Sequence, residues 1–326
     1  MENLDSINKE TRQGKLWPTE IDNLSCRVER INLEEAPGQI PLMFFGEEIR
    51  KAKDIVVMAP GIGVPSFQEN GKIYFYYAKA IDKLLSRNKD LSIAIIANWP
   101  GYEEENRLVG CNLRDENYEV PTILETKLGI ILETTSHISS KNLNINKIKI
   151  IGHSTAGGLL VRFANKFLKN PKVTLIAEDP TGIFDKSFTT KAYEFLADKD
   201  WLKPIADFQG KNLKSESILV KPIAKIIASS YGISTKLFLE DPYFIGCFRR
   251  TDNQVMQEEV KAESSSLLNL PKPSDLKRFN IIVGEKDPMV SRNSIPFEKE
   301  VVKGGGHLFH RQVECLEDWV KIIEKA

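Results

Sequence analysis

The run Lys149-Ile150-Ile151-Gly152-His153-Ser154-Thr155-Ala156-Gly157-Gly158-Leu159 sets a serine where an apolar segment meets a glycine-rich one. A serine hydroxyl is a weak nucleophile at neutral pH. Serine catalysis therefore needs a base within hydrogen-bond reach, an acid that orients the base, and donors for the developing oxyanion. The stretch departs from G-x-S-x-G, the sharp strand-to-helix turn that exposes a nucleophilic serine, only at Ala156. The same residues also fit a structural turn in which Ser154 caps a helix.

The chain has four histidines, so the search for a base is short. His137 falls near the end of an amphipathic pattern, on a solvated face. His153 directly precedes Ser154, and adjacent residues leaving a strand point to opposite faces. His307 follows Val301-Val302-Lys303-Gly304-Gly305-Gly306, a short strand and three glycines that permit a sharp turn, and it is the candidate base. His310 reads as surface or as support to the site. Two aspartates stand at strand ends as candidate acids: Asp287, after Phe279 to Val283, and Asp179, after Thr174 to Glu178. Either could fix the histidine tautomer, and either could be an ordinary cap or turn aspartate. The oxyanion donors should be the backbone N–H of Thr155, just after the serine, and one from a loop ending an earlier central strand. Pro60-Gly61-Ile62-Gly63, after Ile55 to Ala59, suits that loop, although a plain βα turn favours glycine as well.

These residues must be positioned by the elements around them. Leu24 to Leu33 and Ile40 to Ile49 alternate as two half-exposed strands. Ile55 to Ala59, Ile93 to Ala97, Ile148 to Ile151, Val173 to Ala177 and Phe279 to Val283 are short continuous apolar runs, the pattern of strands buried on both faces. Helical periodicity falls between them: from a Ser66/Glu69 capping box through Leu85, over Thr122 to His137, over Thr155 to Leu168, and over Val313 to Ile323. Alternating strands and helices predict an α/β fold, a parallel sheet covered on both sides. Residues 182–270 break the rhythm. Eleven aromatic residues fall between Phe184 and Phe248. An insertion that long between two buried strands reads as a lid over a site.

Composition bounds the partners. Lys+Arg and Asp+Glu each total 45 in 326 residues, so the molecular field favours neither nucleic acid nor anionic membrane. The cysteines Cys26, Cys111, Cys247 and Cys315 lack metal-ligand or disulfide-framework spacing, which suits a reducing cytoplasm. The first residues lack the apolar centre of a secretion signal, and no apolar run approaches the roughly 18 residues of a membrane span. No metal or organic cofactor is expected. Residue order is silent on oligomeric state.

Taken together, these landmarks resemble the α/β-hydrolase superfamily along nearly the whole chain. Pro60-Gly61-Ile62-Gly63 resembles its oxyanion loop, with Pro60 in place of histidine, and Trp99-Pro100-Gly101-Tyr102 its Asp-x-Pro-Gly-x-Gly turn. Gly152-His153-Ser154-Thr155-Ala156 resembles its elbow, Val283-Gly284-Glu285-Lys286-Asp287 its acid loop, and Gly305-Gly306-His307 its Gly-His ending. The resemblance implies a mostly parallel eight-stranded sheet flanked by helices: a polar arm over 1–23, a core of 24–181 and 271–326, and a helical lid over 182–270. It implies Ser154, Asp287 and His307 as the triad, with Asp179 the alternative acid and Ile62 and Thr155 the oxyanion donors. It further implies acyl transfer to water from a small-molecule ester or thioester with an apolar acyl or aryl group. The alternatives are a specialised member doing C–C hydrolysis, lyase or cyclising acyl-transfer chemistry with the same triad, and a non-catalytic binding protein. Ala156 implies a slightly strained elbow.

Overall fold

The computed structural model describes residues 26–32, 39–61, 78–97, 99, 123–181, 278–287, 290, 295, 297–306, 309 and 313–326. The arm over 1–23 and the insertion over 182–270 lie outside these, as does the Ser66/Glu69 capping box.

Eight strands form one sheet: β1 (Cys26–Asn32), β2 (Gln39–Gly46), β3 (Asp54–Ala59), β4 (Leu91–Ile96), β5 (Lys147–His153), β6 (Val173–Glu178), β7 (Phe279–Gly284) and β8 (Glu300–Val302), in the order β1-β2-β4-β3-β5-β6-β7-β8. β2 runs antiparallel to both β1 and β4, and the remaining pairs are parallel. Of the apolar runs read as doubly buried strands, β4 and β6 are buried along their whole length and Ile55 to Ala59 of β3 is buried throughout, while Lys149 of β5 and Phe279 and Asn280 of β7 are half-buried. The expectation of two half-exposed strands holds for β1 alone. β2 is buried from Ile40 to Phe45 because it lies inside the sheet, between β1 and β4, where both faces are covered.

Five helices are described: α1 (Ala78–Arg87), α2 (Ile123–Lys141), α3 (Thr155–Arg162), α4 (Ala164–Phe167) and α5 (Val313–Lys325). The pattern over Thr155 to Leu168 is two helices, not one. Phe163 leaves helical geometry at φ −113° while its N–H still reaches the Leu159 carbonyl, and the chain resumes for a single turn. On one face of the sheet, Ile151, Ile176 and Ile282 pack with Ile81 and Leu84 of α1 and with Trp319, Val320 and Ile323 of α5. On the other, Ile148, Ile150 and Leu175 pack with Leu128 and Ile131 of α2 and Leu159 and Leu160 of α3. Period-two strands thus supply two apolar faces, and each meets the apolar stripe of a helix pair. Arg87 of α1 reaches Glu317 and Glu324 of α5, which fixes the two helices side by side at the surface. Among the described residues no helix is long and apolar enough to cross a membrane.

Register aligns the strand ends. Ala59 pairs with Gly152, Gly152 with Ala177, His153 with Glu178, Glu178 with Ile282 and Gly284 with Val302. Everything that follows these strands therefore emerges along one edge, the carboxyl edge where open α/β sheets bind ligands. Helix α3 can sit against that edge only because Gly157 and Gly158 lack side chains. A β-carbon on Gly158 would overlap the Thr181 carbonyl oxygen, and one on Gly157 would lie 2.8 Å from the Gly152 oxygen and 3.0 Å from that of Glu178. Gly158→Ala is expected to cost about 3 kcal/mol. The expected reading is a lower urea midpoint at unchanged slope, with Ala156→Gly close to wild type.

Candidate active site

Ser154 stands between β5 and α3 with φ 54° and ψ −119°, a left-handed backbone at a residue that bears a side chain. Such a conformation costs about 1–3 kcal/mol and persists only where the surroundings impose it. Here three hydrogen bonds do so. The Ser154 N–H donates to the Glu178 carbonyl at 2.8 Å, and its own carbonyl accepts from Gly158 N–H at 2.9 Å and Thr181 N–H at 3.1 Å. The serine side chain makes no capping bond to α3. A capping serine would spend its oxygen on the helix, so the side chain is not acting as that cap. The close approach within the turn is made at Gly152, where a β-carbon would lie 2.8 Å from the Ala156 carbonyl group. Ala156 is itself fully buried in the apolar cluster of α2 and α3. Strain in the turn is therefore at Ser154, not at Ala156 as the sequence suggested.

The loop after β3 touches the serine directly: a β-carbon on Gly61 would lie 2.8 Å from Ser154 Cβ. Thr155, the first residue of α3, is buried, and a first-turn N–H has no partner within its own helix. Ile62, the other expected donor, lies outside the described residues. Sequence reasoning missed what supports this loop. Trp99, read only as part of a turn motif, is buried and donates Nε1–H to the carbonyls of Pro60 at 3.1 Å and Gly61 at 3.2 Å. The Nζ of Lys127, also buried, sits 4.7 Å from the centre of that ring. The signal available in the sequence was a tryptophan directly beyond a strand end.

The two candidate acids are neighbours. Asp179, with φ 40°, is wholly buried. Its N–H donates to the Ile282 carbonyl at 2.8 Å, and its Oδ1 accepts the Gly284 N–H at 2.8 Å. Asp287 donates its N–H to the Gly284 carbonyl at 3.2 Å, and its Oδ1 accepts the Val290 N–H, also at 3.2 Å. The carboxyl groups of Asp179 and Asp287 are near enough to act on each other electrostatically. Burial, and then the charge of Asp287, hold the Asp179 carboxyl well above the usual carboxylate range, opposed by the Gly284 N–H. The glycine turn ahead of His307 is fastened to the same loop, with Lys286 N–H donating to the Gly305 carbonyl at 2.7 Å and Gly304 N–H to Glu285 Oε2 at 2.9 Å. His307 itself lies outside the described residues. His137 is half-buried rather than solvated, and burial lowers its pKa.

A third buried acid escaped the sequence reading. Glu178, at the end of β6 and beside His153 in register, accepts a hydrogen bond from Trp319 Nε1 of α5. Burial pushes its carboxyl up to about 8, against the lowering effect of that bond. The folded protein thus keeps a proton on Glu178 that the unfolded chain releases near pH 4.3. Stability from this group is full at low pH and falls as pH rises from about 4 to about 8. Glu178→Gln, which retains an acceptor for Trp319, is expected to flatten that slope and raise Tm by several degrees at pH 8.5 with little change at pH 5. Thermal melts across pH check this.

No protein-family model matches the chain, and no curated protein matches it in sequence. Solved structures do match. A 2-hydroxy-6-oxo-6-phenylhexa-2,4-dienoate hydrolase from Rhodococcus sp. strain RHA1 aligns over 93% of this chain and 99% of its own at 13% identity, with a TM-score of 0.54. A thioesterase domain from the curacin biosynthetic pathway aligns over 93% and 100% at 11% identity and 0.51. An esterase from Pyrococcus furiosus aligns over 95% and 92% at 12% identity and 0.51. Strand order, the antiparallel second strand, the strained serine after β5 and these neighbours agree: the chain has the α/β-hydrolase fold.

Proposed function

We propose that the protein is a serine hydrolase that cleaves a carboxylic ester or thioester through an acyl-enzyme. The observation that carries this reading is Ser154, held in a left-handed backbone with its side chain unspent on the helix that follows. In this mechanism Ser154 Oγ attacks the substrate carbonyl carbon while His307 takes its proton, and the Asp287 carboxylate orients the histidine and stabilises the imidazolium. The N–H groups of Ile62 and Thr155 donate to the oxyanion, each worth about 3 kcal/mol in the transition state. His307 then returns the proton to the leaving group and activates the water that releases the acid. No step uses a metal or cofactor. The aromatic residues of 182–270 support an apolar acyl or aryl group on a small-molecule substrate. A cytoplasmic location belongs to the same proposal and rests on the scattered cysteines.

Activity-based labelling with a fluorophosphonate, followed by mass mapping, is expected to find the adduct on Ser154. Ser154→Ala should lower turnover of p-nitrophenyl butyrate or an acyl thioester by about 10⁴-fold or more. Unchanged turnover would sink the proposal, and labelling without turnover of either would point to C–C or transfer chemistry at the same serine. Trp99→Phe, which keeps the ring but removes the donor to Pro60 and Gly61, is expected to lower kcat about tenfold with KM little changed, because it loosens the oxyanion loop and not the substrate pocket.

A further inference from the structure

Two carboxyl groups meet at the carboxyl edge of the sheet, and only one belongs to an ordinary triad. Asp179 comes from the end of β6 and Asp287 from the loop after β7, and Gly284 binds both, through its N–H to Asp179 Oδ1 and its carbonyl to the Asp287 N–H. Neither side chain is exposed. The second oxygen of Asp179, Oδ2, is buried and has no N–H or O–H donor among the described residues. A charged oxygen so placed would carry the full cost of desolvation beside another carboxylate. Among the described residues the ionisable groups that act on Asp179 are both acids, Asp287 and the adjacent Glu178, and beside Glu178 in register lies His153. A proton on Oδ2 resolves the arrangement, because it turns an orphaned acceptor into a donor available to the neighbouring carboxylate.

We propose that Asp179 and Asp287 share a single proton, with Asp179 the neutral partner whose Oδ2–H donates to an Asp287 oxygen and so sets the direction of the Asp287 carboxylate. The pair carries one negative charge, not two. Asp179 is then a positioning residue, not a second candidate for the acid. Its backbone is held at φ 40°, and the Gly284 N–H occupies Oδ1, which leaves Oδ2 as the oxygen to carry the proton. The positioning role rests on the reading of Asp287 as the orienting acid. The shared proton does not.

Asparagine separates the possibilities, since its amide keeps an acceptor for Gly284 and a donor for Asp287 but cannot ionise. With p-nitrophenyl butyrate as substrate, Asp179→Asn is expected to hold kcat within about threefold of wild type, Asp179→Ala to lose about tenfold or more, and Asp287→Asn to lose on the order of 10⁴-fold, as an orienting acid does. Wild-type kcat should fall at alkaline pH, as the shared proton leaves and a second charge faces Asp287, while Asp179→Asn holds its plateau. A loss in Asp179→Asn as deep as in Asp287→Asn would overturn the assignment and make Asp179 the charged acid. Thermal melts give a reading independent of catalysis. The native pair keeps a proton that the unfolded chain releases near pH 4, so wild-type stability falls as pH rises above that point, and the margin of Asp179→Asn over wild type should widen with pH. The comparison is repeated in the Glu178→Gln background to remove the neighbouring acid. Identical pH slopes there would show that no proton is held. If Ser154→Ala left turnover intact while the slopes still diverged, the shared proton would stand and the triad reading alone would fail.

Discussion

The backbone of Ser154 cannot hold its conformation by its own preference, and much of the molecule is arranged around that fact. Its N–H and carbonyl are bound by Glu178, Gly158 and Thr181, which belong to β6, α3 and the chain just past β6. Those partners are in place only if α3 lies almost on the sheet edge, and that approach needs the two glycines of its first turn. β6 in turn must be doubly buried to present its last carbonyl at that height, which is why its sequence is an unbroken apolar run until Glu178. A local strain of a few kcal/mol is thus distributed over a sheet and a helix, neither of which is strained.

The same edge gathers acids that would avoid each other in water. Glu178 and Asp179 at the end of β6 and Asp287 in the loop after β7 are all buried, and the structure handles each differently. Glu178 turns to the face of α1 and α5 and takes the indole N–H of Trp319. Asp179 takes a backbone N–H from Gly284, and Asp287 takes one from Val290. Alternation along β6 sends consecutive side chains to opposite sides, so two adjacent acids can serve helix docking and the candidate site separately.

Much of this was readable from residue order, and what was not has a physical reason. The five buried strands were legible because strands covered on both faces lose alternation and become continuous apolar runs. β2 was misread because Pro41 and the flanking polar residues imitate a half-exposed edge, and nothing local says that another strand pairs on each side. The sharp turn at Ser154 was legible from its glycine-rich context, but its positive φ and its missing capping bond to α3 were not. Asp179 and Asp287 were weighed as rivals because a linear reading assigns one role to one residue. That they act on each other is a consequence of β6 and β7 being adjacent. Trp99 and Trp319 were invisible as supports, since each acts through its N–H on a partner far away in sequence, Pro60 in one case and Glu178 in the other.

The pairing of β6 with β7 also governs when Asp179 can be fixed in place. Asp179 and Gly284, joined by a hydrogen bond, are 105 residues apart, and the Asp179 N–H depends on Ile282 in the same way. During synthesis the segment through Thr181 emerges well before β7 exists to flank β6, so β6 is first an open edge with its terminal aspartate unheld. Closing a loop of that length is slow relative to local helix formation. The nascent chain therefore has every partner of the Ser154 backbone in hand before β7 emerges, and the fixed position of Asp179 is the later feature for folding to complete.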